Sequence, residues 1–329
     1  MKFLVIGTGS IGSRHINNLR SLGVEASTFS YRECKKLSLK QGWGDIDNSI
    51  LKHLDQQYDA VIVANSSELH ANVAVMALGK GHNLFIEKPV SLTMEGVHNL
   101  VSASLPSKSI IECGFMLRTH PNLIWMKSCI DSGAIGKVMH LKASVGQWLP
   151  DWRPGTNYMA SYSALKAKGG GVIFDLIHEL DLVHWMIGSI QEVFAMTSHL
   201  DELSIETEAI AHINLKSTSG VLAQISMDYV RPGYERSLEV IGLDGVLKWD
   251  YLLGTVTMHT KNRVEKIVHR LPPSFDRNEM FLNHMKHFID RLKSGIAIEP
   301  ISSLSDGVYA TKLAIAAHSA ALSKKCVSV

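Results

Sequence analysis

Residues 2–12 read Lys2-Phe3-Leu4-Val5-Ile6-Gly7-Thr8-Gly9-Ser10-Ile11-Gly12, four apolar residues running into three glycines spaced G-x-G-x-x-G. A short apolar run that stops at glycine reads as a buried strand. Ile16, Leu19 and Leu22 then recur at helical spacing, so the stretch predicts a strand, a tight turn and a helix. Each glycine has a mechanical task in that arrangement: Gly7 turns the chain, Gly9 lets a pyrophosphate approach the backbone, and Gly12 lets the helix pack closely on the strand. The first helical N–H groups, with the positive end of the helix dipole, then face the phosphates. The whole loop, Gly7, Thr8, Gly9, Ser10, Ile11 and Gly12, is predicted to hold a dinucleotide.

Outward from this stretch, short runs at 25–30, 59–64, 83–86 and 109–114 read as further strands, the run at 59–64 clearly buried, separated by helical patterns at 13–22, 46–54, 69–80 and 94–104. That alternation is the signature of a parallel sheet wrapped by helices. From residue 138 the texture changes. Strand-like runs at 138–145, 191–198, 209–215, 221–229, 236–241, 245–249 and 255–260 follow one another across Ser-Thr-Ser-Gly, Arg-Pro-Gly and Leu-Asp-Gly turns, with helices at 172–187, 278–293 and 306–322. The predicted fold is an α/β Rossmann domain with a parallel sheet over 1–119, followed over 120–329 by an α+β domain with an open, mainly antiparallel sheet for substrate binding and oligomerisation.

Composition narrows the function. The 329 residues are 46% hydrophobic and 19% charged, which suits two globular domains and excludes a disordered or collagen-like chain. Lys plus Arg number 33 against 31 Asp plus Glu, and a net charge of +2 leaves no broad basic field for nucleic acid. Cys34, Cys113, Cys129 and Cys326 lie far apart with no C-x-x-C spacing, as reduced thiols of a cytoplasmic protein do. The four apolar residues after Lys2 are too few for a signal peptide, and no run approaches the roughly 18 apolar residues of a membrane helix. His178 and His184 stand six apart, which defeats an H-E-x-x-H zinc site, and no metal is expected.

The end of the second predicted strand bears on the dinucleotide. An acidic residue there would bind the ribose 2′-hydroxyl of NAD, but the chain reads Ser30-Tyr31-Arg32. Ser30 can hydrogen-bond a 2′-phosphate and Arg32 can pair with it bidentately, which favours NADP over NAD.

Two more motifs, with the glycine loop, carry a resemblance. Glu87-Lys88-Pro89 follows a predicted strand, and Gly169-Gly170-Gly171 runs through Asp175, His178, Glu179 and Asp181 along the predicted helix; Gly114-Phe115 with Arg118, His120 and Pro121 marks the exit from the first domain. The chain resembles the Gfo/Idh/MocA family of sugar and inositol dehydrogenases over nearly its whole length. The resemblance implies hydride transfer between nicotinamide and a secondary alcohol or ketone of a sugar, sugar derivative or inositol. By it, Lys88 polarises the reacting oxygen and His178 is the acid/base, whose ordinary pKa near 6.5 suits neutral pH. Asp175, three residues before His178 and predicted on the same helical face, orients the ring or holds a substrate hydroxyl, and Asp181 supports the imidazole. Only Leu176 and Ile177 separate Asp175 from His178, where the family more often has three residues.

The resemblance also extends the cofactor contacts to Asn65, Ser66, His70, Glu87 and Lys88, with Asn65-Ser66 standing where relatives carry a Thr-Pro type sequence. The aromatic loop after residue 147 supplies Trp152, Arg153, Tyr158 and Tyr162, which with Arg118, Asp175 and His178 form the expected substrate set. A homo-oligomer, dimer or tetramer, through the C-terminal sheet is implied. Two alternatives keep the dinucleotide: a sensor that turns nothing over, and a glycoside-cleaving enzyme in which oxidation only assists elimination.

Overall fold

A computed structural model of the chain describes residues 1–30, 43–261 and 263–329. The apolar run of the opening stretch forms β1 (Lys2–Ile6), the centre of a parallel sheet with β2 (Glu25–Phe29), β3 (Ala60–Val63), β4 (Leu84–Ile86) and β5 (Ile111–Cys113), in the order β2-β1-β3-β4-β5. Helices Ser10–Ser21, Trp43–Leu54, His70–Gly79 and Met94–Ser104 alternate with these strands. Residues 3–6, all of β3 and all of β4 are buried, as a sheet covered on both faces requires. The strand order reverses direction between β1 and β3, which places the glycine loop at the topological switch point, where open α/β sheets bind ligands.

The later strands form one nine-stranded sheet: β6 (Val138–Gly146), β7 (Ile190–Ser198), β8 (Ile210–Ser217), β9 (Leu222–Asp228), β10 (Glu235–Gly242), β11 (Gly245–Asp250), β12 (Thr255–Thr260), β13 (Arg263–Arg270) and β14 (Val327–Ser328). Every pairing is antiparallel except β6 with β9, which run parallel. Strict alternation in β8 sends Ala211, Ile213 and Leu215 inward and leaves His212 and Asn214 in solvent, so one face packs on a core. The sequence reading missed β13, an edge strand whose charged Arg263-Val-Glu-Lys-Ile-Val-His-Arg270 composition protects it from further pairing and hides it from an apolar-run criterion. It also missed helix Pro121–Asp131, which opens on a proline at its first position.

One prediction is corrected. The continuous helix expected over 172–187 is two helices, Val172–Asp175 and His178–Ile187, broken where Leu176 takes φ −99° and ψ 28°. Asp175 and His178 therefore do not share a helical face. Hydrogen bonds to the Asp175 side chain from outside the segment override the local helical preference there.

The chain divides into two compact units, Met1–Met116 with Arg277–Val308 and Leu117–Asp276 with Tyr309–Val329. The first unit is completed by helix Asn278–Ser294, which buries Met285, Phe288 and Ile289 against Phe3, Val5, Ile62 and Phe85. Below them the buried Glu112 carboxylate accepts from Arg291 Nη1 at 2.5 Å, His284 Nε2 at 3.3 Å and the Ser302 N–H at 3.1 Å. Among the described residues no helix is long and apolar enough to cross a membrane. Phe288 sets its ring against Phe3 and Phe85, at centroid distances of 6.1 and 5.6 Å. Phe288→Ala is expected to destabilise the protein by about 3–5 kcal/mol, read as a lower urea midpoint; an unchanged midpoint would show that the returning helix is dispensable.

Candidate active-site residues

The three glycines of the loop differ in what constrains them. A Cβ on Gly7, at φ +107°, would lie 2.3 Å from Ala64 O, and one on Gly12 would lie 1.8 Å from Gly7 O. A Cβ on Gly9 would meet nothing within 4 Å. The first and third glycines are thus demanded by the protein's own backbone, and the second leaves open a space that any side chain would occupy. Thr8, Gly9 and Ser10 are exposed, and helix Ser10–Ser21 begins with no side-chain cap and no acidic residue in its first turn. The loop therefore fits a dinucleotide pyrophosphate, whose oxygens would take the N–H groups at the helix start. Ser30 is buried just beyond β2; Tyr31 and Arg32 lie outside the described residues.

Glu87-Lys88-Pro89 follows β4 in the same unit. His15 Nε2–H donates to Glu87 Oε1 at 2.7 Å, with both side chains buried. Burial alone would push the Glu87 carboxyl up, but the His15 hydrogen bond, with the nearby Lys88 ammonium, holds it below the usual carboxylate range. Gly114 explains itself here, because a Cβ would sit 2.8 Å from the Glu87 carboxylate. His70 is buried between two carbonyls, with Nδ1 2.7 Å from Pro89 O and Nε2 3.1 Å from Asn65 O. Burial lowers its pKa and favours the neutral ring, which donates to the nearer carbonyl. His70 thus braces the backbone at Asn65 and Pro89, while Ser66 Oγ donates to Glu68.

In the second unit the aromatic loop converges on Asp175. This buried carboxylate accepts from the Tyr162 hydroxyl, from Ser163 Oγ at 2.7 Å and from the Tyr229 hydroxyl at 3.0 Å. Burial, reinforced by the Asp175 charge, pushes both tyrosines well above their ordinary pKa and keeps them donors. The Arg153 guanidinium lies 5.4 Å from the Tyr162 ring centre, and Trp152 meets Tyr229 edge-on at 5.1 Å while its Nε1–H donates to Gln147 O. Trp152, Arg153 and Tyr158 line a small cleft with Ser161 and Ser163.

His178, buried, is the first residue of helix His178–Ile187, and two ion pairs fix that helix. Arg118 donates through Nε and Nη2 to both oxygens of Asp181, at 3.1 and 2.7 Å, and its guanidinium lies 5.7 Å from the Trp185 ring centre. Both Asp181 oxygens thus accept from one guanidinium. Arg236 of β10 forms a second fork with Glu179, at 2.6 and 2.9 Å, and the Glu179 charge outweighs burial to keep the guanidinium protonated. Sequence reading overlooked Arg236, Tyr229 and His15, whose only signal is an ionisable or polar group inside an otherwise apolar or alternating pattern.

Comparison with known proteins decides the family. The model described as "Oxidoreductase family, NAD-binding Rossmann fold" matches residues 1–111, and the GFO/IDH/MocA C-terminal domain matches residues 124–248. The chain belongs to the GFO/IDH/MocA oxidoreductases. It is similar to the myo-inositol 2-dehydrogenase of Thermotoga maritima, 27% identical with 100% of this chain and 98% of that protein aligned. It is also 27% identical to the inositol 2-dehydrogenase/D-chiro-inositol 3-dehydrogenase of Lacticaseibacillus casei, over 97% of this chain and 91% of that protein. The fold matches levoglucosan dehydrogenase, solved with NADH and levoglucosan, at a TM-score of 0.83 over 100% of this chain and 99% of that one, with 18% identity. This GFO/IDH/MocA protein is therefore an oxidoreductase with an NAD-binding Rossmann fold.

The two forks make a stability prediction. Arg236→Met leaves the Glu179 carboxylate buried and unpaired, an expected loss of about 3–5 kcal/mol. Adding Glu179→Leu should recover most of it in a denaturation experiment; equal stability of Arg236→Met and the parent protein would refute this assignment.

Proposed function

We propose that the protein transfers a hydride between a nicotinamide dinucleotide and a secondary alcohol, or its ketone, of a sugar, sugar derivative or inositol. The observation that carries this reading is the buried Asp175 carboxylate, gripped by three hydroxyls and three residues ahead of the buried His178 that begins the next helix. Hydroxyl partners of a buried carboxylate can be joined by a hydroxyl of the substrate. The bound cofactor supplies the hydride acceptor or donor. For the alcohol to lose a hydride its proton must leave as well, and His178 takes it; Lys88, an ammonium, stabilises the oxygen as negative charge develops. Asp175 accepts a hydrogen bond from a hydroxyl of the substrate, and Trp152, Arg153, Tyr158 and Tyr162 offer ring faces and donors to a polyhydroxylated ring. The activities named for the inositol dehydrogenase relatives support the same substrate class.

For the cofactor, the absence of a carboxylate at Ser30-Tyr31-Arg32 supports NADP over NAD. The partner is a small molecule. Self-association through the solvent face of the nine-stranded sheet, which carries Lys142, Gln224, Glu239 and Lys248, and a cytoplasmic location, supported by thiols Cys129 and Cys326 without a disulfide, complete the assignment.

Two measurements test it. His178→Ala should lower turnover of polyols by about 10²–10⁴-fold while NADPH still binds; undiminished turnover would remove His178 from the chemistry. NADPH should bind more tightly than NADH, and Arg32→Ala should abolish the difference; tighter NADH binding by the unaltered protein would reverse the cofactor assignment.

A further inference from the structure

Helix Val172–Asp175, which ends in Asp175, is held from outside by Thr207 and Glu208, in the segment that leads into β8. Gly171 has φ +98°, and a Cβ on it would lie 2.3 Å from Glu208 Oε1, so the last glycine of the triplet is required by the carboxylate lying against the backbone. Glu208 Oε1 accepts from the Ile173 N–H at 3.1 Å and Glu208 O from the Val172 N–H at 3.3 Å, which takes up two donors of the helix's first turn. The preceding residue works on the other strand of the loop. Thr207 Oγ1 donates to Ser163 O at 3.0 Å, the same carbonyl that accepts the Gly171 N–H, and Ser163 Oγ donates to Asp175. A Cβ on Gly170 would lie 2.4 Å from the carbonyls of Tyr162 and Ser163.

We propose that Glu208 is the positioning residue for Asp175: its carboxylate clasps the glycine triplet and the helix start, and so fixes where the Asp175 carboxylate meets Tyr162, Ser163 and a substrate hydroxyl. The substrate part of this statement rests on the proposed function; the clasp does not. The clasp accounts for Gly171, and the carbonyls of Tyr162 and Ser163 account for Gly170.

The groups around Glu208 give the clasp a pH signature. Lys166 faces it from the preceding turn, His318 Nε2 lies 3.8 Å from Oε1 on helix Leu304–Ser323, and Tyr229, itself bonded to Asp175, feels its charge. The His318 ring also stacks on Phe174 at 5.1 Å. Burial pushes the Glu208 carboxyl up to about 7, against the pull of the Ile173 N–H and Lys166, and burial with Lys166 lowers His318 to about 4. Around neutrality Glu208 therefore changes charge while His318 stays neutral. An ionised carboxylate holds backbone N–H groups more strongly than a protonated one, so the clasp tightens as pH rises through about 7. Global stability runs the other way. The folded pKa is raised above the unfolded value, so the native state binds the extra proton between them; stability is fullest below the ordinary carboxyl value of 4.5, declines as pH rises to about 7, and is level above.

The test compares Glu208→Ala and Glu208→Gln in the full chain by hydrogen–deuterium exchange, thermal unfolding and kinetics with myo-inositol. Loss of a capping acceptor should speed exchange of the amides of residues 171–175 about fivefold in Glu208→Ala, and the amide oxygen of Glu208→Gln should restore most of the protection. KM for myo-inositol should rise in Glu208→Ala while the NADPH dissociation constant stays unchanged. Between pH 5 and 8 the melting temperature of Glu208→Gln should gain on that of the parent protein. Unaltered exchange at residues 171–175 in Glu208→Ala overturns the clasp. Should Glu208→Ala fail to fold, Glu208→Thr takes its place in the exchange experiment, and unaltered exchange at residues 171–175 there overturns the clasp equally. Should the parent turn over no polyol, the proposed function falls, and exchange and melting still decide the clasp.

Discussion

The close approach of backbone to backbone at the end of β1 is the constraint on which the first unit depends. Gly12 stands so near Gly7 O that no side chain fits, and Gly7 stands equally near Ala64 at the end of β3. Helix Ser10–Ser21 can lie tightly on the sheet only because both positions lack a Cβ, and that same tightness brings the helix N-terminus to the switch point of the strand order. The sheet's burial, the orientation of the N–H groups and the open space over Gly9 all follow from this one steric fact. Substituting either glycine disturbs the fold, whereas a side chain at Gly9 would meet nothing of the protein within 4 Å.

The second unit is organised by buried charge instead. Helix His178–Ile187 carries two carboxylates into the interior, and each is met by an arginine fork, Arg118 on Asp181 and Arg236 on Glu179. Such pairs add little net stability over an apolar replacement, but removing one partner is costly, so they fix the helix in one position. Asp175 is met by the hydroxyls of Tyr162, Ser163 and Tyr229. A hydroxyl partner can be exchanged for another hydroxyl of similar hydrogen-bonding character.

Much of this was legible along the chain. Period and run length located the five strands of the parallel sheet and seven of the later nine, because a buried strand must be apolar and a half-buried one must alternate. Edge strand β13 was not, since its charges serve to prevent pairing and erase the very signal sought. Nor was the break at Leu176, because residues on either side are as apolar as those of an intact helix and only the hydrogen bonds on Asp175 distinguish them.

What the sequence by itself determined is the chemistry available and its order: the glycine loop, Glu87-Lys88-Pro89, and the Asp175 to Asp181 run, together with the family they resemble. Local spacing carries these because each motif is short and its residues act within one turn or one loop. Tertiary structure alone decided who meets whom. That helix Asn278–Ser294 completes the first unit, that His15 supports Glu87 from 72 residues away, and that Glu208 reaches back to Gly171 are contacts between segments distant in the chain. Hydrogen bonds and steric exclusion act over a few ångströms of space, not over sequence separation, and one chain read alone does not encode those distances.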